Sequence, residues 1–304
     1  VVSRRPVNES NIDHQQRIGI IAGWGNFPVV VARAMKQQGL SVYCLGIRDH
    51  ADPRLAQICD DFRYIGVAKL GAQIRYFRRR GVRRATMAGK LFKAKLMFNR
   101  LGWIRHVPDW RCCRTFYPHF LTKSRDRKDD TLLGAVVDAF ASDGIVFAPA
   151  TDFAPELLVE FGHLSGRKPT ASQLKDIEFG WDMAKEMGRL DIGQSVVVKG
   201  RAALAVEAVE GTDECIRRAG KLCPQGGFTV VKVAKPQQDM RFDVPTIGLG
   251  TVRTLVEAGG QVLAVEADKT ILVEREEVLE FASRHRLTII AIDASQFSQQ
   301  QRAA

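Results

Sequence analysis

Two patterns of hydrophobic and polar positions alternate along most of this chain. Short apolar runs of strand length recur, separated by stretches with helical spacing. Residues 17–22 (Arg-Ile-Gly-Ile-Ile-Ala) read as a buried strand, Gly23-Trp24-Gly25-Asn26 as a turn, and Pro28 suits the first turn of a helix running to about Gln38. Gly39 ends that helix. Strands are predicted at 40–45, 62–67 and 84–88, with a helix opened by Asp52-Pro53 and another over 70–80. The last of these strands runs into Gly89-Lys90, and Asp129-Asp130-Thr131 caps an amphipathic helix ending near Ser142-Asp143-Gly144. The stretch 91–128 has no clean period. Such alternation predicts a parallel sheet flanked by helices, a Rossmann-like α/β domain over 17–144.

A second α/β unit, over 145–293, begins with the apolar run 145–148, and Pro149, Pro155 and Pro169 punctuate the chain after it. A helix is predicted at 172–187, closed by Gly188. Strands at 194–199 and 202–207 flank Gly200-Arg201 at hairpin spacing. Thr212-Asp213 then caps a helix to about 219, and strands at 229–235, 261–266, 271–273 and 287–292 alternate with helices within 245–258 and at 275–285. Mixed strand order is expected here, because the hairpin is antiparallel and the later units have crossover spacing. The ends, 1–16 and 294–304, read as flexible tails.

Composition narrows the class. A chain of 304 residues exceeds what one core comfortably fills, in keeping with two domains, and 45% hydrophobic with 26% charged residues excludes wholesale disorder. The apolar runs fall far short of the roughly 20 residues of a membrane span, and no stretch reads as a secretion signal. The six cysteines (44, 59, 112, 113, 215 and 223) form no C-x-x-C pair and read as reduced thiols of a cytosolic protein; the six histidines lack metal-ligand spacing. Net charge is +11, but its location matters more: residues 69–128 hold 18 Lys/Arg against Asp109 and Asp126, a balance of +16, and the remainder of the chain is −5. Phe92, Phe98, Trp103, Trp110, Phe116, Tyr117 and Phe120 are interleaved with those cations. A solvated face, a nucleic-acid surface and an anionic lipid surface all fit the charge; the aromatics favour the lipid.

Three constellations could carry chemistry. Gly19-x-x-x-Gly23-x-Gly25 follows a strand and precedes a helix, so it is either a tight structural turn or a cradle of backbone N–H groups for an anion. The dinucleotide fingerprint needs a third glycine where Pro28 stands, which weakens an NAD(P)-dependent reductase reading. Lys90, past the end of a strand, could pair with a phosphate or simply be solvated. The third constellation is the richest: Glu207, Glu210, Thr212 and Asp213 at one strand–helix junction, and Lys232, Lys235, Gln237, Gln238, Asp239, Arg241 and Asp243 around another strand end. Carboxylates with adjacent lysines suit Mg²⁺-assisted phosphoryl or pyrophosphate chemistry; a salt-bridged surface loop is the plainer alternative.

Four stretches of the chain resemble the LpxI-type UDP-2,3-diacylglucosamine pyrophosphatases of Gram-negative lipid A biosynthesis. They are Ile18-Gly-Ile-Ile-Ala-Gly-Trp-Gly-Asn-Phe-Pro28, Asp129-Asp-Thr-Leu-Leu-Gly134, Val206-Glu-Ala-Val-Glu-Gly-Thr-Asp213 and Lys235-Pro-Gln-Gln-Asp-Met-Arg-Phe-Asp-Val-Pro-Thr-Ile-Gly248. The resemblance implies a two-domain α/β enzyme with its ligand between the domains. It implies Mg²⁺-dependent hydrolysis (Mn²⁺ being the alternative ion) that yields UMP and 2,3-diacylglucosamine 1-phosphate. Water would attack the sugar-side phosphorus. The resemblance puts an essential aspartate at Asp239 or Asp243, with Asp213 the next candidate. The clustering of residue types at strand ends further assigns Asp239, Asp243 and Asp213 to binding the metal or orienting water, and Lys235, Arg241 and Lys90 to stabilising pyrophosphate oxygens. Thr212 donates a hydrogen bond to the substrate, which Gly23, Gly25, Asp130 and Gln238 also contact. Trp24 stands where the family is expected to have a small or polar residue, and the basic segment after Lys90 has little resemblance in detail. The implied setting is the cytoplasmic face of the inner membrane, with a lipid-linked nucleotide sugar as substrate and no nucleic acid. Oligomeric state is open, and a nucleic-acid-binding protein using 69–128 is the alternative from another class.

Overall fold

Strand β1 (Arg17–Ala22) is buried along almost its whole length and lies at the middle of a parallel sheet. The computed structural model describes residues 16–91, 107–121, 129–241 and 244–293. Strand β2 (Ser41–Ile47) pairs with β1 on one side, β3 (Asp61–Ile65) lies beyond it, β4 (Arg84–Ala88) pairs with β1 on the other side, and β5 (Val146–Phe147) closes that edge. The order β3-β2-β1-β4-β5, all parallel, is the doubly wound arrangement expected from the alternating pattern. Helix α1 (Phe27–Gln37) carries Pro28 in its first turn and ends before Gly39, whose φ of 76° only glycine adopts at little cost. Helices α2 (Leu55–Ile58) and α3 (Leu70–Arg79) link the next strands. The fully buried Phe77, Phe140 and nearly buried Phe147 meet in tilted and edge-on contacts of 6.1 and 5.0 Å between centroids. Each such side chain contributes on the order of 2 kcal/mol by burial.

Two expectations change in this unit. The period-free stretch contains helix α4 (Trp110–Leu121), and α5 (Asp129–Ala141) follows. Asp109 starts α4: its carboxylate accepts from the Cys112 N–H at 3.0 Å, while its other oxygen accepts from Ala72 in α3. Proline and clustered cations disguise this helix in the sequence. The run 145–148, read as the opening of a second unit, instead supplies β5 to the first sheet, through the pairs Arg84 with Val146 and Ala85 with Phe147. The chain divides into Val1–Ala154 and Pro155–Ala304, later than the expected boundary. The predicted tails lie outside the described residues, apart from Gln16, whose carbonyl accepts from the Ser41 N–H.

In the second unit, β6 (Gly162–Ser165), β7 (Ser195–Lys199), β8 (Ala202–Val206), β9 (Phe228–Lys232), β11 (Gly260–Glu266) and β13 (Thr288–Ile292) form a sheet of order β6-β13-β11-β9-β7-β8. Strands β9, β11 and β13 are parallel; β7, β8 and β6 are attached antiparallel. Strands β10 (Thr246–Ile247) and β12 (Ile271–Leu272) pair separately. Helix α6 (Ala171–Arg189) begins with a capping box, Thr170 and Gln173 exchanging side-chain-to-backbone bonds. Its Ile177, Trp181 and Ala184 pack with Val196, Val198, Val231 and Ala264 on one face of the sheet. Helices α7 (Thr212–Leu222), α8 (Leu249–Glu257) and α9 (Arg275–Arg284) cover the other face with Val197, Val230, Leu263 and Val265. Burial on both faces explains why these strands read as continuous apolar runs. The β7–β8 hairpin turns at Gly200-Arg201, both at φ near 60°, and the buried Asp176 carboxylate takes both turn N–H groups.

Candidate active site

At the carboxyl ends of β1 and β4, on either side of which the strand order reverses, the glycine turn meets Gly89-Lys90. Ligands of open α/β sheets gather at such switch points. The Gly23 N–H donates to Ala88 O, Trp24 N–H to Lys90 O, and Lys90 N–H back to Trp24 O, all within 2.9 Å. A Cβ on Gly23 would meet Lys90 O at 2.7 Å, and one on Gly89 would meet Trp24 O at 2.8 Å. The glycines are therefore there for the close crossing of two backbones, and the Gly23 and Trp24 amides are committed within the chain instead of pointing at an anion. Gly25 is at φ 106° with open space where a Cβ would stand, and Lys90 is exposed. Asp130 lies in the first turn of α5, and its side chain is outside the described residues.

The third constellation falls at one edge of the other sheet. The ends of β9, β11 and β13, the start of β7 and the end of β8 all lie on this edge, since Ser195 is paired with Lys232 and Val196 with Val206. Four polar residues sit together there. Ser195 is fully buried, Lys232 is 6% and Glu207 8% exposed, and Thr212 opens α7. The Thr212 hydroxyl donates to Glu207 Oε1 at 2.9 Å and accepts from Lys232 Nζ at 2.8 Å, with Ser195 Oγ 3.4 Å away. In this arrangement Thr212 is a donor to Glu207 and an acceptor for Lys232. Glu207 Oε2 is buried with no hydrogen-bond partner. Asp213, one residue on, accepts from the Thr251 hydroxyl at 2.8 Å.

The loop after β9 carries the remaining predicted residues. It starts from a gripped peptide: Ala234 N–H donates to Glu266 Oε2 at 2.8 Å, and Ala234 O accepts from Lys185 Nζ at 2.9 Å. Lys185 and Glu266 also bond each other at 2.6 Å, with Glu266 only 4% exposed at its side chain. Burial lowers the Lys185 pKa, against the pull of the Glu266 carboxylate. Lys235 Nζ pairs with Asp191 at 2.8 Å, and its backbone N–H donates to Gln238 Oε1 at 2.7 Å. Gln238 Nε2 is buried and unbonded. Asp239 faces Arg241, whose Nε lies 2.9 and 3.0 Å from the two carboxylate oxygens, and it also accepts from the Arg241 backbone N–H at 3.0 Å. That guanidinium, opposed by partial burial, holds the Asp239 carboxyl below its ordinary value.

The three expected metal ligands are not gathered among the described residues. Asp213 is bonded to Thr251 and Asp239 to Arg241, while Asp243 lies outside the described residues. Among the described residues no three His, Cys, Asp or Glu side chains converge as a cation site requires. The described residues do not by themselves form a cation site. Sequence reasoning named Lys235, Gln238, Asp239 and Arg241, which the structure brings onto one loop. It placed Glu207 and Lys232 in the same constellation without giving either a role, and it did not single out Ser195, Lys185 or Glu266. The signal for three of them was visible: Lys232 and Glu266 end apolar runs, and Glu207 follows one directly.

These features define a two-domain α/β protein with charged and orphaned polar groups collected at a strand-end edge. The chain belongs to the LpxI family: residues 17–157 match the LpxI N-terminal domain and 160–290 the LpxI C-terminal domain. It is 31% identical over 289 residues to the UDP-2,3-diacylglucosamine pyrophosphatase LpxI of Caulobacter vibrioides, spanning 91% of this chain and 98% of that protein.

Proposed function

We propose that this protein hydrolyses the pyrophosphate of UDP-2,3-diacylglucosamine to UMP and 2,3-diacylglucosamine 1-phosphate in lipid A biosynthesis. The observation that carries this reading is the match to a pyrophosphatase of that name across both domains. Water adds to the sugar-side phosphorus, the bond to the bridging oxygen breaks, UMP leaves with that oxygen, and the water's proton passes to solvent. The strand-end edge has side chains suited to this step. Asp239 is ionised throughout the neutral range, so it suits orienting water and not donating a proton. Lys232, Lys235 and Arg241 supply positive charge where phosphate oxygens gain negative charge. A divalent cation, Mg²⁺ or Mn²⁺, is proposed as a requirement without an assigned set of ligands. Purified protein incubated with UDP-2,3-diacylglucosamine and Mg²⁺ should release UMP, and EDTA should stop the release. No UMP under either condition would refute the activity; release unaffected by EDTA would refute only the cation.

The proposal includes the membrane surface from which a diacylated substrate is drawn. Among the described residues no helix is long and apolar enough to cross a membrane. Helix α4 instead exposes Trp110 (81%) and Tyr117 (61%), two turns apart, with the exposed Arg114 between them. Aromatic and cationic side chains on one face suit contact with an anionic lipid interface.

A further inference from the structure

The group at Thr212 has a direction built into it. Lys232 Nζ donates a hydrogen bond to Thr212 Oγ1, and the Thr212 hydroxyl donates in turn to Glu207 Oε1. Glu207 is held in turn: its backbone N–H donates to Ser195 O at 2.9 Å, and Gly193 lies so close that a Cβ there would meet Glu207 O at 2.1 Å. The junction is braced further by Arg218, which donates to Val206 O and Glu210 Oε1, both at 2.6 Å. A carboxylate that is 92% buried and leaves one oxygen without a hydrogen bond is expensive for the fold. An amide side chain of similar size would be easier to accommodate. Costs of this kind are concentrated at functional sites.

We propose that Glu207 is a positioning residue: through Thr212 it fixes the Lys232 ammonium at the carboxyl edge of the sheet, where that ammonium meets the phosphate oxygens of the substrate. This rests on the pyrophosphatase reading above. In it, Lys232 takes the donor role that the sequence assigned to Thr212. Glu207 makes Thr212 an acceptor, so the Lys232 head is aimed by a hydrogen bond with a set polarity. An ammonium aimed in advance needs no rearrangement as charge develops on phosphate.

The test compares E207L, E207Q, T212V and K232M with the wild type, reading kcat, KM and melting temperature. E207L and T212V should lose at least about tenfold in kcat with KM changed less than about threefold, and K232M about a hundredfold. E207L removes the carboxylate that the buried Lys232 faces through Thr212 and should melt lower than the wild type. E207Q keeps an acceptor for Thr212 and should recover most of the lost rate. A merely structural Glu207 would show the lower melting temperature with kcat near normal in E207L, and that result would overturn the inference. So would a K232M enzyme with wild-type kcat. The wild-type control separates the two readings: if it releases UMP and the variants match it, only this inference fails, whereas a wild type without activity brings down both.

Discussion

At the scale of single residues, the site is governed by which partner each charge already has. Arg241 pairs with Asp239, and Lys235 with Asp191, so ligand binding has to compete with or build upon these contacts. Asp239→Asn should lower kcat by about two orders of magnitude while leaving the loop's backbone contacts in place, measured as UMP release under saturating substrate. The same substitution has a consequence for pH. Because Arg241 holds the folded-state pKa of Asp239 below its unfolded value, the stability from this pair is complete above about pH 4 and is lost as pH falls through the lower folded value. Urea midpoints of wild type and Asp239→Asn should therefore differ at pH 6 and converge toward pH 3. A gap that widened on acidification would contradict the assigned pair. Residue identities at this loop were legible from Lys, Gln, Asp and Arg packed beside prolines. Their pairing was not, because Asp191 lies 44 residues from Lys235 and nothing in local spacing announces it.

Among elements, the Ala234 peptide shows how a strand end and a helix together place a loop. Lys185 comes from α6 and Glu266 from β11, and they hold the two backbone polar groups of Ala234, its C=O and its N–H respectively. Glu266 also pairs with Lys269 at 2.9 Å, so removing Lys185 leaves it one partner, whereas removing Glu266 leaves the partly buried Lys185 ammonium without an acid. Glu266→Ala should thus lower the melting temperature markedly and speed amide exchange at Ala234. The double variant Lys185→Met/Glu266→Leu should recover much of the stability but not the loop's placement, so its kcat should remain low. Most elements were readable in advance, since a two-sided buried strand has to be an apolar run and helix ends carry Pro28 or Gly39. Strand β6 was missed for the converse reason: Gly-His-Leu-Ser at a sheet edge is short and half exposed, and has no pattern to reveal. The two residues of β5 were seen as a strand, but a strand that short does not indicate which sheet it joins.

For the molecule as a whole, the charge of the 69–128 segment is smaller in space than along the chain. Arg78 and Arg111 both reach Asp143, and Arg80 reaches Asp61, acids from outside the segment. Reversing Arg78 or Arg80 would therefore disturb the fold of the first unit as well as any lipid contact. The cleaner variant is Trp110→Ala/Arg114→Glu/Tyr117→Ala, on the exposed face of α4. Vesicles containing anionic lipid should retain the wild type at low salt, release it as salt rises, and fail to retain the triple variant, whose melting temperature should change little. Retention of the variant equal to wild type would rule this face out as the contact. The antiparallel pairing of β6 with β13 has a further consequence, for synthesis. The first sheet is complete once β5 has been made, so that unit can fold while the ribosome is still translating the second. In the second unit the earliest strand waits for the latest: Gly162 and His163 find their partners only when Ala291 and Ile290 emerge. The first unit can thus fold well before the second, whose sheet is completed only with the final strand.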